Sequence, residues 1–426
     1  MKKFVSAVAN VRLNQLLCAS ATVLLAGSAA AATLPASAEV GATVEPAYDS
    51  PAPTAVLSNV TTGTGTAKSD RTMMTPSATN VTGHLYVSPT GSDSNPGTQA
   101  KPVKTIARAD ALARAGYVIH VAPGTYKVAA PSASSAGIRT TRSGTATARI
   151  RFQSDVKWGA KIVFSGTGLG WNSKGAYVDI VGFDITGSGR IGILAEGGHE
   201  IISNNFVHDL KVSGGCNGSG GAAIDAWGPG GGAVIDSNVV RNVGAQWVAA
   251  QSCNTVQGIY VTNQNNTVSN NIISGVASVG INSWHGATSN TFVNNTIFGN
   301  KMGIVIGHGD SGATAAGTSN NYVANNIVYR NGYGITEMGK VGTNNRYANN
   351  LVFNTGRAWL AKGTVTGTVS AEPQFVNYQA NGTGDYRLKS TSPAINKGTA
   401  TRAPKVDFAG VARPRGGAYD IGAYEY

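Results

Sequence analysis

Past residue 84 the apolar residues fall in short runs, such as Ile272-Ile273 and Ile304-Val305-Ile306, set apart by Gly, Asn, Ser and Thr. Helical spacing of apolar residues is nearly absent, so the pattern predicts many short strands. Two phrases repeat through it. Asn-Asn or Ser-Asn, with an apolar residue close behind, ends at Asn205, Asn238, Asn271, Asn295, Asn326 and Asn350, in steps of 33, 33, 24, 31 and 24 residues. A small residue followed by Ile recurs at Ile193, Ile224, Ile259, Ile281, Ile304 and Ile335. A basic period near 23 residues with strand-type runs predicts a solenoid whose coils stack at about 4.8 Å, a parallel β-helix. Leucine-rich repeats share the period but need a recurring Leu pattern that this chain lacks. The Asn column is expected to form an internal ladder, each amide donating to one neighbour and accepting from the other. Steps longer than 24 mark loops inserted on particular coils, and such loops usually build a working face.

Aligning the coils on the repeated Ile turns that Ile inward and the next residue outward. The outward column reads Leu194, Asp225, Tyr260, Asn282, Val305 and Thr336. Two places further stand Glu196, Trp227, Thr262, Trp284, Gly307 and Met338, in which Trp227 and Trp284 offer faces for a sugar ring. Four places beyond the Ile, His285 and His308 fall on adjacent coils. Imidazoles stacked about 4.8 Å apart would resist simultaneous protonation, leaving a base at neutral pH. Asp225 and Tyr260 add an acid and a phenol to the same groove, so His285, His308, Tyr260 and Asp225 are the candidate catalytic residues. Trp227, Asn282, Trp284, Trp247 and Glu337 are the candidate substrate-binding residues. Of these, Trp247 belongs to an inserted loop, and Glu337 occupies an inward-type position that calls for a buried partner.

The first residues carry Lys2-Lys3, an apolar stretch over Leu16 to Ala32, and Ala36-Ser37-Ala38, the three regions of a secretory signal. Residues 1–38 are read as that signal, 39–83 as a low-complexity leader, 84–370 as the solenoid and 371–426 as a C-terminal capping segment that closes it. Leu17 ahead of Cys18 is a poor match to a lipoprotein site, so the expectation is a secreted or periplasmic protein with no membrane insertion. Cys216 and Cys253 then remain as an exported pair, expected to form a disulfide between inserted loops on adjacent coils. A monomer is expected.

Composition agrees with a turn-rich β-type chain: 56 Gly among 426 residues, 13 % charged and 7 % aromatic. Removing Lys2, Lys3 and Arg12 from the formal +12 of the chain leaves +9. A basic exported protein favours an acidic polysaccharide as partner. Nucleic acid is the weaker candidate, because the basic residues are scattered and no recognition motif is present.

Ser92-Asp93-Ser94-Asn95-Pro96-Gly97-Thr98, Lys104-Thr105-Ile106 and Pro123-Gly124-Thr125-Tyr126, with a short helix over Ala107 to Gly116, resemble the N-terminal cap of secreted right-handed parallel β-helix proteins. That group includes polysaccharide lyases of the family nine type. Glu372-Pro373-Gln374-Phe375, Asp385-Tyr386-Arg387-Leu388 and Tyr419-Asp420-Ile421-Gly422-Ala423-Tyr424-Glu425 resemble its C-terminal segment. The resemblance implies an all-β, right-handed parallel β-helix; function varies across such proteins. Pectin-hydrolysing members use Asn-Thr-Asp, Asp-Asp and Gly-His-Gly sets, of which only Gly307-His308-Gly309 is present. Calcium-dependent lyases of the group need clustered acids, and only Asp209, Asp225, Asp236 and Asp310 are at hand, so no cofactor is assigned. The expectation is a lyase acting by β-elimination on a uronate polymer, with His285 or His308 as base, Tyr260 as acid, and Asn282 with a nearby cation neutralising the carboxylate. A glycoside hydrolase using Asp225, a C5-epimerase, or a noncatalytic polysaccharide-binding protein are the alternatives.

Overall fold

The computed structural model describes residues 80–247, 252–310 and 317–426. The stretch read as a signal and nearly all of that read as a low-complexity leader lie outside these residues. The described residues belong to one compact unit.

Each coil contributes one strand to each of three parallel sheets. The first sheet has eleven strands, from Gly83–Val87 to Thr364–Thr366. The second runs from Gly124–Ala130 to Leu351–Phe353 and the third from Ala136–Thr140 to Arg357–Leu360, nine strands each. The strands of the three sheets thus run from Gly83 to Thr366. The predicted helix is shorter than expected, Ile106–Leu112, started by Thr105, whose hydroxyl accepts from the Arg108 N–H at 3.1 Å.

The third sheet holds the small-Ile phrase in register from coil to coil: Ile193 pairs with Ile224, then Ile259, Ile281, Ile304 and Ile335. All six are fully buried in the core. The preceding small residue has a steric cause. At Gly303 an added Cβ would lie 2.5 Å from Val328 Cγ1, so the inward aliphatic residues of the second sheet claim that space.

The Asn marks are a turn followed by a ladder. The first residue of each pair, such as Ser237 (φ 56°), Asn270 (54°) or Asn294 (56°), takes the left-handed conformation that suits Asn, and turns the chain from the first sheet to the second. The second residue is buried. Asn205, Asn238, Asn271, Asn295 and Asn326 each donate an amide N–H to the next ladder oxygen at 2.9–3.1 Å, ending on Asn350.

The expectation that residues 371–426 close the helix end is corrected. The segment folds back along the side, where Ile272, Phe298, Ile327, Tyr329 and Leu351 of the second sheet form an outer apolar face. Phe375, Tyr386, Leu388, Ile421 and Ala423 cover it. Asn270, Asn294, Asn325 and Asn349 donate to carbonyls of this segment at 2.8–3.2 Å. Arg413 and Glu425, both fully buried, pair at 2.6 Å within it.

Candidate functional site

The outward column of the third sheet keeps the predicted register, Leu194, Asp225, Tyr260, Asn282, Val305 and Thr336. Two loops from the second sheet to the third wall it, and Cys216 and Cys253 join them in the expected disulfide. The Asn254 and Thr255 N–H groups both donate to Cys216 O, and the Lys301 ammonium donates to Cys253 O at 2.7 Å, so the wall is tied to three coils. Between wall and sheet lies a pocket of about 300 Å³, bordered by Arg190, Asp225, Gln257, Tyr260, Trp284 and His285.

Asp225 is 7 % exposed, and its Oδ1 has no hydrogen-bond partner. Burial pushes its carboxyl up to about 7, with the nearby Arg190 guanidinium pulling the other way. Burial also raises the Tyr260 phenol well above its ordinary value, and the charges of Asp225 and Asp310 add to this. A phenol so placed stays neutral and keeps its proton. Its ring centroid lies 5.9 Å from that of His285.

The two histidines are not equivalent. His285, in a left-handed turn (φ 55°), is half-exposed and its Nδ1 lies 2.6 Å from Asp310 Oδ2. With Nδ1–H donated to this carboxylate, Nε2 carries the lone pair. His308 approaches the same oxygen with Nε2 at 3.3 Å; its Nδ1 is buried without a partner and faces Gly317. Burial opposes ionisation of Asp310, but the His285 hydrogen bond, both imidazoles and the Trp284 indole outweigh it and hold the carboxyl below its ordinary range. A shared carboxylate thus replaces the direct repulsion expected between stacked imidazoles, and only His285 borders the pocket.

Trp284 lies beside Gly307 and Gly309, where the Gly-His-Gly phrase leaves room for it. A Cβ at position 307 would sit 2.1 Å from the indole. Asn282 is 6 % exposed, with Oδ1 unpartnered, and borders an adjoining pocket. Trp227 is half-exposed beyond Asp225 and lines neither pocket.

Two sequence assignments are corrected. Glu337 is turned into the coil, where the Tyr347 hydroxyl donates to Oε1 at 2.7 Å and the Lys362 N–H to Oε2 at 2.5 Å; it is a structural carboxylate. Trp247, in the short 3₁₀ turn Ala245–Trp247, packs against the main core rather than walling the groove.

Arg190 was not among the candidates, and Asp310 was considered only as a calcium ligand. Arg190 stands just before the strand Ile191–Ala195, outside the columns counted from the Ile, and donates from Nη2 to Ser219 O at 3.3 Å. Asp310 follows the strand Met302–His308 in a turn, where strand periodicity no longer predicts direction.

The four aspartates considered for calcium are dispersed. Asp209 is bound by His208 and Asn242, Asp236 by Ser269 and Asn270, Asp310 by the histidines, and Asp225 lies in the pocket. They do not form the oxygen cage calcium needs. Among the described residues, no helix is long and apolar enough to cross a membrane.

The three-sheet coil with loops walling one sheet defines a solenoid with a lateral groove. The chain belongs to the right-handed parallel β-helix superfamily. Residues 85–221 match the model of the Pel9A-like right-handed β-helix region, and residues 226–378 that of the right-handed β-helix region. Pectate lyase Pel9A is similar in structure, with a TM-score of 0.57 at 16 % identity over 82 % of this chain and 97 % of that one. A glycoside hydrolase matches with a TM-score of 0.51 at 10 % identity, over 68 % and 93 %. At such identities the likeness shows the fold. No curated protein matches the chain in sequence.

Proposed function

We propose that this protein is an exported polysaccharide lyase that cleaves a uronate-containing polymer by β-elimination. The observation that carries the reading is the convergence of Arg190, Asp225, Tyr260 and His285 on one pocket, with His285 oriented by Asp310. Elimination needs a cation at the uronate carboxylate, a base for the adjacent proton and an acid for the leaving oxygen. His285 Nε2 takes the proton from the carbon bearing the carboxylate. The freed electron pair forms the C4–C5 double bond as the C4–O bond breaks, and the Tyr260 hydroxyl protonates the departing oxygen. Arg190 neutralises the carboxylate; Asp225, protonated below pH about 7, adds a hydrogen-bond donor instead of a repelling charge. His308 is a positioning residue acting through Asp310, and Trp284 is the sugar platform.

Elimination is favoured over hydrolysis by the lining of the groove. Hydrolysis uses two carboxylates about 5–10 Å apart flanking the bond, and among the described residues Asp225 is the one carboxylate bordering the two pockets. The disulfide supports export, since such bonds persist in oxidising compartments.

The test is ultraviolet absorbance with time on a panel of uronate polysaccharides. A rise from the unsaturated product is expected, reduced at least about 100-fold in His285→Ala and in Tyr260→Phe. Absence of any rise, or a rise unchanged in both variants, would contradict the proposal.

A further inference from the structure

The catalytic pocket continues into a second one of about 310 Å³, which shares Tyr260 and Trp284 with it. Its centre shifts from the coils of Asp225 and Tyr260 to those of Asn282 and Val305, so a polymer lying along the axis places neighbouring sugars in the two. Their chemistry differs. Among the described residues no charged side chain borders the second pocket; Val279, Met302, Val305 and Met338 form its apolar side with Trp284. Asn282 Oδ1, nine-tenths buried and without a partner, supplies an acceptor there for a sugar hydroxyl.

A uronate in this second position would lose hydration against the apolar side, and the cation at the pocket's edge, Lys301, is already held by Cys253 O and Asn254 Oδ1. A neutral sugar with a methyl group meets the opposite situation. The methyl is covered by two flexible thioether side chains and a valine, and a ring hydroxyl can satisfy Asn282. We propose that this pocket is a subsite for a neutral, methyl-bearing sugar adjacent to the uronate, so that the preferred polymer is mixed rather than a pure polyuronate. The methyl can be that of a 6-deoxyhexose or of an O-acetyl group. The inference rests on the lyase reading only in assigning the uronate to the pocket next door.

The experiment measures calorimetric binding and initial absorbance rates for oligosaccharides of equal length. Uronate alternates in them with a 6-deoxyhexose, with an O-acetylated hexose or with a plain hexose, and a pure oligouronate completes the set. At least one methyl-bearing series is expected to bind about 10-fold or more tighter than the plain-hexose series, since one apolar contact of this kind discriminates by about 10- to 200-fold. Which series prefers the site identifies the methyl. Met338→Ser and Val305→Thr are expected to move the ratio toward one. Equal or better binding of plain hexose or pure oligouronate overturns the subsite, as does a ratio unchanged in both variants. A methyl preference in binding without any absorbance rise sinks the lyase reading and leaves the subsite standing. A rise led by pure oligouronate does the reverse.

Discussion

Burying a carboxylate oxygen without a partner is costly, and Asp225 and Glu200 both show it. Each has a carboxylate oxygen without a partner, and burial pushes each carboxyl up to about 7. The folded chain therefore holds protons that the unfolded chain releases above its ordinary carboxyl range. Stability is expected to decline as pH rises from about 4 to about 7, then level, by an amount on the order of 3–4 kcal/mol for each group. Asp225→Asn should remove its share of that slope and melt higher than the wild type at pH 8, with little difference at pH 4, as thermal melts across this range will show. Activity should carry the same signature. If protonated Asp225 faces the uronate, kcat/KM falls above pH about 7, and Asp225→Asn removes that limb.

Residue chemistry was legible where the strand dictates direction. Asp225, Tyr260 and Asn282 stand in one outward column because their coils pair in register, and a two-residue alternation with a known origin suffices to find them. Direction is lost at strand ends. Arg190 enters from before its strand, Asp310 turns back after its own, and neither position is set by the alternation. Glu337 was recognised as inward-facing, but its partner Tyr347 lies on the next coil's first-sheet strand, a pairing the column count does not contain.

At the scale of the element, the ladder explains why Asn recurs where an aliphatic residue would also fill space. Asn295 accepts from the Asn271 amide and N–H, and donates to Val268 O, Val293 O and Asn326 Oδ1. Asn295→Ala leaves several of these buried groups unmatched at about 1–3 kcal/mol each. A loss of at least about 3 kcal/mol in urea denaturation is the expected outcome. A loss under about 1 kcal/mol would show that the ladder is incidental to stability. The pattern was readable because the turn and the ladder impose separate demands on neighbouring positions, and Asn meets both.

For the whole molecule, the fold was readable because a solenoid repeats one local rule many times. The placement of residues 371–426 was not, since it depends on an outer face that exists only after four or more coils have stacked. That face also sets the two sheets apart: the second sheet's outside from Ile272 to Leu351 is covered by the chain itself, whereas the third sheet's outside carries the two pockets. The central claim is that this groove breaks a glycosidic bond without adding water. Mass spectrometry of the fragments from a defined uronate-containing oligosaccharide tests it most directly. The account predicts fragment masses that sum to that of the substrate, with an unsaturated new end, and no such fragments from His285→Ala. Fragments whose masses sum to the substrate plus one water would contradict it and assign the groove to hydrolysis.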